Sequence, residues 1–349
     1  MSILFCYSDM LKSFKITILT IIALIFEYLA HDLEWSDTWV FALNFLVIIL
    51  LSKLLELAAK DVSLRVGRMS GSLLNVTFGN NVVELILSAI AFMDGQIRVV
   101  QASLLGSILS NLLLVLGMCI VSRGRRIFHE EEFNQTAESI IALACIGLIS
   151  PTALNFFVRN SNTNSKELSS LSHGTVIVLL IIYFLYLYFQ LKSHPHPYHE
   201  EGDQPKSSLI ISISLLAVVF IVVIFSSKCL IGSIDGVVQS LGLSRTFVGF
   251  VLLPIVGNAA EIMTVATTTI NNRTGLSINI NDDGNSVQII LFVTATPFFA
   301  VLGWIIINEM TLHFQSLEAA VFVIAFLMAN YLIQKYNLQK FKEKFWSSI

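Results

Sequence analysis

Long apolar runs recur along the whole chain and are separated by short polar stretches. Each run is about 20 residues long, which lets a helix cross a hydrocarbon core about 30 Å thick. Lipid cannot hydrogen-bond to the backbone, so only helices and closed barrels span membranes. Barrel strands alternate apolar and polar residues, whereas these runs are continuously apolar. The pattern predicts ten membrane-spanning helices, at residues 14–30, 37–56, 71–93, 98–121, 136–157, 172–191, 208–231, 246–270, 286–307 and 314–334.

Composition supports the membrane assignment. Of the 349 residues, 55% are hydrophobic and 13% are charged, whereas soluble domains contain about 25% charged residues. The net charge of −3 and the absence of a large basic patch give no reason to expect a nucleic-acid partner. The sequence contains no nucleophile-and-base set and no phosphate-binding loop. We therefore expect neither an enzyme nor a bound cofactor.

Basic residues orient the ten predicted helices. With both termini in the cytoplasm, 16 of the 21 Lys and Arg residues fall on the cytoplasmic side and 5 on the other side. This asymmetry follows the positive-inside rule and supports the even number of spans. The first run, 14–30, lacks a small-residue cleavage site and contains Glu27. It is therefore interpreted as a retained leader helix and not as a signal peptide.

Two of the apolar runs carry the same polar pair. Asn81 and Glu84 in one run, and Asn258 and Glu261 in the other, both read Asn-x-x-Glu. This spacing places the amide and the carboxylate on one helical face. Glycine precedes both pairs, and Pro254 also precedes the second. Such residues bend or open a helix, and the carbonyl groups released there can coordinate a cation.

A charge inside a membrane costs about 2.5–3.5 kcal/mol on insertion scales. Protonation or pairing could explain one buried Glu, but two matching segments, one in each half of the chain, favour a midplane binding site between inverted repeats. Two carboxylates with amide and backbone oxygens suit a divalent cation such as Ca²⁺. A carboxylate in a low-dielectric site also binds protons more readily. The same oxygens could therefore hold either protons or a cation.

Two further polar clusters lie beside these pairs, at 101–111 and 284–288. Close helix packing explains most of their small and hydroxyl residues. The better candidates for facing the cation are Gln101, Ser107, Asn111, Ser286 and Gln288.

The polar stretch after the sixth span divides the chain into two halves, and its residues include His194, Glu200, Glu201 and Asp203. A solvated cytoplasmic linker is expected here, although a His/Glu-rich loop could also bind a metal weakly. The predicted division is a tail and leader helix at 1–34, a first repeat at 35–192, an acidic linker at 193–207, and a second repeat with a basic tail at 208–349.

Both halves resemble the repeats of vacuolar-type calcium/proton exchangers, in the calcium/cation antiporter superfamily. The first repeat carries "NVTFGN", "VELILS" and "IRVVQASLLGSILSNLLLVLG", and the second carries "FVGFVLLPIVGNAAE", "NSVQIILFVT" and "GWIIINEMTL". The resemblance spans about 35–334 and keeps the order of both repeats. It implies that Glu84 and Glu261 are cation ligands with Asn81 and Asn258 beside them. It also implies Ca²⁺ uptake into an acidic organelle, such as a vacuole, driven by proton exit.

The chain departs from the family pattern at four places. The first repeat has one extra residue at Gly79–Asn81, which a π-bulge could absorb. Ile262 stands where the family often has His, and residues 281–285 replace a small-residue stretch with Asn281-Asp282-Asp283-Gly284-Asn285. Asp282 and Asp283 could lie near the cation or at an exposed helix start. The final segment, "QKYNLQKFKEKFWSSI", is too polar to span.

We therefore expect an all-α polytopic membrane protein with about ten transmembrane helices, in two inverted five-helix repeats with the last helix missing. The predicted activity is exchange of Ca²⁺ for protons across the bilayer, with Mn²⁺ as a further candidate ion. The predicted ligands are Glu84, Glu261, Asn81, Asn258, Ser107, Gln101, Ser286 and Gln288. Two alternatives stay open: a sodium-coupled exchanger of the same superfamily, and a non-transporting relative that acts as a partner subunit.

Overall fold

Helices and turns account for all the regular structure in the part of the chain that the computed structural model describes. That part comprises residues 35–66, 71, 74, 82–123, 152, 174–178, 180–181, 185, 208–260, 262–263, 314–328 and 331, with side chains in the third described helix as far as Leu113. The helices are α1 (Asp37–Ser63), α2 (Val82–Met93), α3 (Ile97–Arg123), α4 (Leu209–Gly232), α5 (Ile234–Leu241), α6 (Arg245–Gly257) and α7 (Ser316–Met328).

All of these helices except α5, which lies between the predicted spans 208–231 and 246–270, overlap the apolar runs that predict them. Helical residues also occur at 174–178 within the predicted span 172–191. The spans 14–30 and 286–307, and all of 136–157 except Thr152, lie outside the described residues, as does the linker 193–207. The number of ten and the division into repeats therefore stay predictions.

The end of α1 differs from its prediction. The apolar run ends at about residue 56, but the helix continues to Ser63. Lys53 and Glu56 form an ion pair of 2.7 Å between Nζ and Oε2. Because these residues are three apart, they lie on one face of a helix and add to its stability. Beyond residue 56 the helix still buries apolar residues, among them Ala58, Ala59 and Val62, so its packed side continues past the predicted end.

Two helical stretches among the described residues are long and apolar enough to cross a membrane, Asp37–Ser63 and Leu209–Leu241. On α4, large apolar side chains such as Ile210, Ile211 and Ile221 are exposed on the protein surface. A helix that is apolar on all sides is typical of a membrane span, where the outward side chains meet lipid.

The described residues belong to two compact units, each with residues from both halves of the sequence. In the first unit (residues 1–103 and 184–264), α1 and α4 make the most extensive contact between described helices. Thr38 and Ser240 share a hydrogen bond of 2.8 Å between their hydroxyl oxygens, and Ser212 donates to Asp61 near the other end of α1. Ser240 is on α5, which directly follows α4, so α1 runs antiparallel to the α4–α5 stretch.

In the second unit (residues 104–183 and 265–349), the start of α7 is fixed by two side chains. The backbone N–H of Phe314 donates to Thr152 Oγ1 at 3.1 Å, and that of Gln315 donates to Glu318 Oε2 at 3.1 Å. Phe314, just before this start, and Phe322, in the middle of α7, are both buried. Thr152 and Glu318 thus supply acceptors for N–H groups at the helix start, which have no acceptor within the helix itself.

Candidate cation site

Glu84 is the one predicted carboxylate ligand that the described residues include. It lies on α2, and its exposed fraction is 0%. An acidic side chain inside a membrane protein is costly, and such residues are almost always functional or paired. The neighbours of Glu84 therefore decide what it can do.

The first neighbour is Ser103 on α3. Its Oγ donates a hydrogen bond to Glu84 Oε1 at 2.9 Å, and its exposed fraction is 2%. A short turn joins α2 to α3, and Gly95 adopts a φ of 73° there. Glycine tolerates this left-handed conformation because it has no Cβ. The turn returns α3 alongside α2 and so brings Ser103 to Glu84.

The second neighbour is Gly257 at the end of α6. A Cβ atom at this position would overlap Glu84 Oε2, so the carboxylate lies directly against the backbone of α6. The contact requires glycine because any side chain would displace Glu84. The next residue, Asn258, is 1% exposed, and its backbone N–H donates to the carbonyl of Pro254 at 2.9 Å.

Helix α6 is irregular upstream of this contact. Residues Val248–Leu252 form a π-helical turn, in which the N–H of Leu253 reaches the carbonyl of Val248. Pro254 has no N–H and cannot donate to the carbonyl of Phe250. Such turns are frequent at functional sites. The departure from a regular helix that was expected in the second repeat is therefore present, whereas the π-bulge expected at Gly79–Asn81 lies outside the described residues.

Helix α6 also approaches α3 closely. A Cβ on Gly249 would lie 2.9 Å from the carbonyl oxygen of Val99 and 3.0 Å from Ala102 Cβ. Small residues at such a crossing let helix backbones approach one another. Because Gly249 and Gly257 have no side chains, α6 can pack closely against α3 and against the carboxylate of Glu84 on α2.

Among the remaining predicted ligands, Asn81, Glu261, Ser286 and Gln288 lie outside the described residues, as do Asp282 and Asp283. Ser107 is fully buried on α3, and Asn111, one turn further, is also buried. No group of three or more His, Cys, Asp or Glu side chains occurs among the residues that the structure describes.

Gln101 and Ser103 have different surroundings. Gln101 is half-buried, and its Oε1 accepts from Arg98 Nη1 at 3.5 Å. A step of two residues turns an α-helix by about 200°, so Gln101 and Ser103 lie on nearly opposite sides of α3. The place of Gln101 at the cation site stays a prediction. Ser103 was missed, although its spacing of four from Ser107 puts both on one helical face.

The described cluster offers hard oxygen ligands in a buried setting. It combines the carboxylate of Glu84, which the hydroxyl of Ser103 holds through Oε1, with the backbone of α6 at Gly257. Oxygen ligands of this kind suit Ca²⁺ and related hard cations.

Comparison with known proteins gives consistent matches over most of the chain. A family model described as sodium/calcium exchanger protein matches residues 36–192 and 211–349. The vacuolar calcium ion transporter of Schizosaccharomyces pombe is 39% identical over 311 residues, which cover 86% of this chain and 74% of that protein. The Ca²⁺/H⁺ antiporter of Synechocystis sp. is 33% identical over 340 residues, 90% of each chain.

Solved structures agree with these matches. The native structure of YfkE superposes with a TM-score of 0.72 at 26% identity and covers 91% of both chains. A selenium-substituted structure of the same protein, described as a Ca²⁺/H⁺ antiporter, gives a TM-score of 0.70 at 26% identity.

Proposed function

Because the chain belongs to the sodium/calcium exchanger protein family, an all-α family of membrane transporters, we propose that it exchanges Ca²⁺ for protons across the membrane of a vacuole or another acidic organelle. The single observation that carries the proposal is Glu84, a fully buried carboxylate held between a hydroxyl of α3 and the backbone of α6. Named antiporters among the relatives support the choice of ions.

The proposed site combines the two Asn-x-x-Glu segments. Glu84 and Glu261 supply the charge, and Asn81, Asn258, Ser107, Gln101, Ser286 and Gln288 supply neutral oxygens. The burial of Glu84, Asn258 and Ser107 supports their inclusion, because polar and ionisable residues inside the membrane mark ion pathways. We place the segments in two inverted repeats, 35–192 and 208–349, which contain five and four of the predicted helices and are joined by the linker 193–207.

Exchange follows from competition for the same oxygens. A carboxylate that binds Ca²⁺ must release its proton, and a carboxylate that binds a proton is a poor ligand for Ca²⁺. If the loaded forms change access from one side of the membrane to the other, each Ca²⁺ moves against protons. The packed contact between Glu84 and Gly257 would make this change sensitive to whether Glu84 holds a cation or a proton.

The test is Ca²⁺ uptake by the purified chain in liposomes with an acidic interior. We expect uptake that a protonophore abolishes and that an imposed sodium gradient does not replace. Uptake that requires sodium would favour the sodium-coupled alternative. No uptake from a correctly folded preparation under either gradient would overturn the transport function and favour the partner-subunit alternative.

A further inference from the structure

The hydroxyl of Ser103, like that of Ser212 with Asp61, donates to a carboxylate on another helix. Ser88 and Ser227 are buried as well, yet their hydroxyl oxygens have no hydrogen-bond partner among the described residues. Ser103 instead donates to the carboxylate of Glu84, from a different helix and 19 positions along the chain. A hydrogen bond to a charged acceptor is about twice as strong as one between neutral groups.

The two oxygens of Glu84 have different neighbours. Oε1 accepts from Ser103, whereas Oε2 lies against Gly257. The last torsion of a glutamate side chain has a broad, shallow energy profile, so a carboxylate without fixed partners turns freely. The Ser103 bond restricts this rotation. It directs Oε2 to α6, beside Gly257 and Asn258.

We propose that Ser103 is a positioning residue for the cation site: its hydroxyl holds Glu84 Oε1 so that Oε2 faces the Gly257–Asn258 end of α6, where the cation binds. The inference rests on the proposed function, since it assigns Oε2 as the oxygen that meets the transported ion. A ligand held in place before the ion arrives loses less conformational entropy on binding. Ser103 therefore raises the affinity for Ca²⁺ without being a ligand itself.

The test is the concentration dependence of Ca²⁺ uptake by three variants of the full chain. Ser103→Ala removes the donor at nearly constant volume. We expect it to raise KM about tenfold and to change the maximal rate by less than about twofold, because losing a hydrogen bond to a charged group weakens binding by this order. Ser103→Thr keeps a hydroxyl and should stay within about threefold of the wild-type KM.

Ser103→Cys provides the intermediate case, because a thiol is only a weak donor. We expect its KM to lie between those of the wild type and Ser103→Ala, and it keeps the proposal testable if the alanine variant does not fold. The matched control is Ser227→Ala, which removes a buried hydroxyl that has no hydrogen bond among the described residues. Its KM should equal that of the wild type.

The outcomes separate this inference from the proposed function. If Glu84→Gln abolishes uptake but Ser103→Ala and Ser103→Cys keep the wild-type KM, the positioning role of Ser103 is overturned and the exchanger stands. If Glu84→Gln transports normally, the proposed site itself is wrong. An equal rise in KM for Ser103→Ala and Ser227→Ala would indicate a general packing effect and would also overturn the positioning role.

Discussion

Two buried glutamates, one in each compact unit, show why burial alone does not identify a site. Glu84 is 0% exposed and Glu318 is 2% exposed. Glu318 accepts the backbone N–H of Gln315, three residues earlier, which is the half of a capping box that a Glu at the third helical position supplies. Glu84 instead meets a hydroxyl of α3 and the backbone of α6. The contact of Glu318 is local and stabilises one helix end, whereas Glu84 joins three helices.

The largest effect should come from the same substitution at both glutamates. Glu84→Gln removes the negative charge, so we expect Ca²⁺ uptake to fall to background while the protein stays folded. Glu318→Gln keeps an oxygen that can cap α7, so its uptake should match the wild type. The measurement is uptake per folded molecule in liposomes. An equal loss of Ca²⁺ uptake in both variants would show that transport depends on Glu318 as much as on Glu84.

A smaller but still large effect is expected at the contact between α6 and Glu84. Gly257→Ala puts a methyl group where Glu84 Oε2 lies, so the carboxylate must move. We expect KM for Ca²⁺ to rise at least tenfold, since an ion site is sensitive to small displacements of its ligands. Gly232→Ala is the matched control, because no atom of the described residues outside its own helical backbone lies within 4 Å of the added Cβ. A wild-type KM for Gly257→Ala would show that the contact between Gly257 and Glu84 Oε2 is not needed for Ca²⁺ binding.

The smallest effect concerns stability and not transport. Glu318→Ala removes an acceptor at the start of α7, which should lower the free energy of unfolding by about 1 kcal/mol, the usual value for a lost helix cap. Thermal unfolding in detergent measures this change. KM for Ca²⁺ should stay at the wild-type value, and an increase there would assign Glu318 to transport.

Much of this organisation was predictable because a membrane restricts the chain to helices. The family, predicted from the motifs of both repeats, is confirmed by the family match. The Asn-x-x-Glu spacing marked Glu84 as a site residue, and the structure shows its burial, while its role as a cation ligand stays a prediction.

Contacts between helices could not be predicted in the same way. The approach of Gly257 to Glu84 depends on where α6 crosses α2, and no local pattern reports that crossing. The predicted ligands on α3 included Gln101 and Ser107 but not Ser103. Helical periodicity would have grouped Ser103, Ser107 and Asn111 on one face of α3.

The π-helical turn at Val248–Leu252 has a further consequence for α6. It accommodates one residue more than an α-helical turn would, and each residue of an α-helix advances the side chains by about 100°. The rotational phase of everything after Leu252 is therefore set by that one additional residue. Without it, Gly257 and Asn258 would turn by about 100° around the axis of α6 and away from Glu84. The contact of this helix end with Glu84 therefore depends on the number of residues in the π-helical turn as well as on the glycine at position 257.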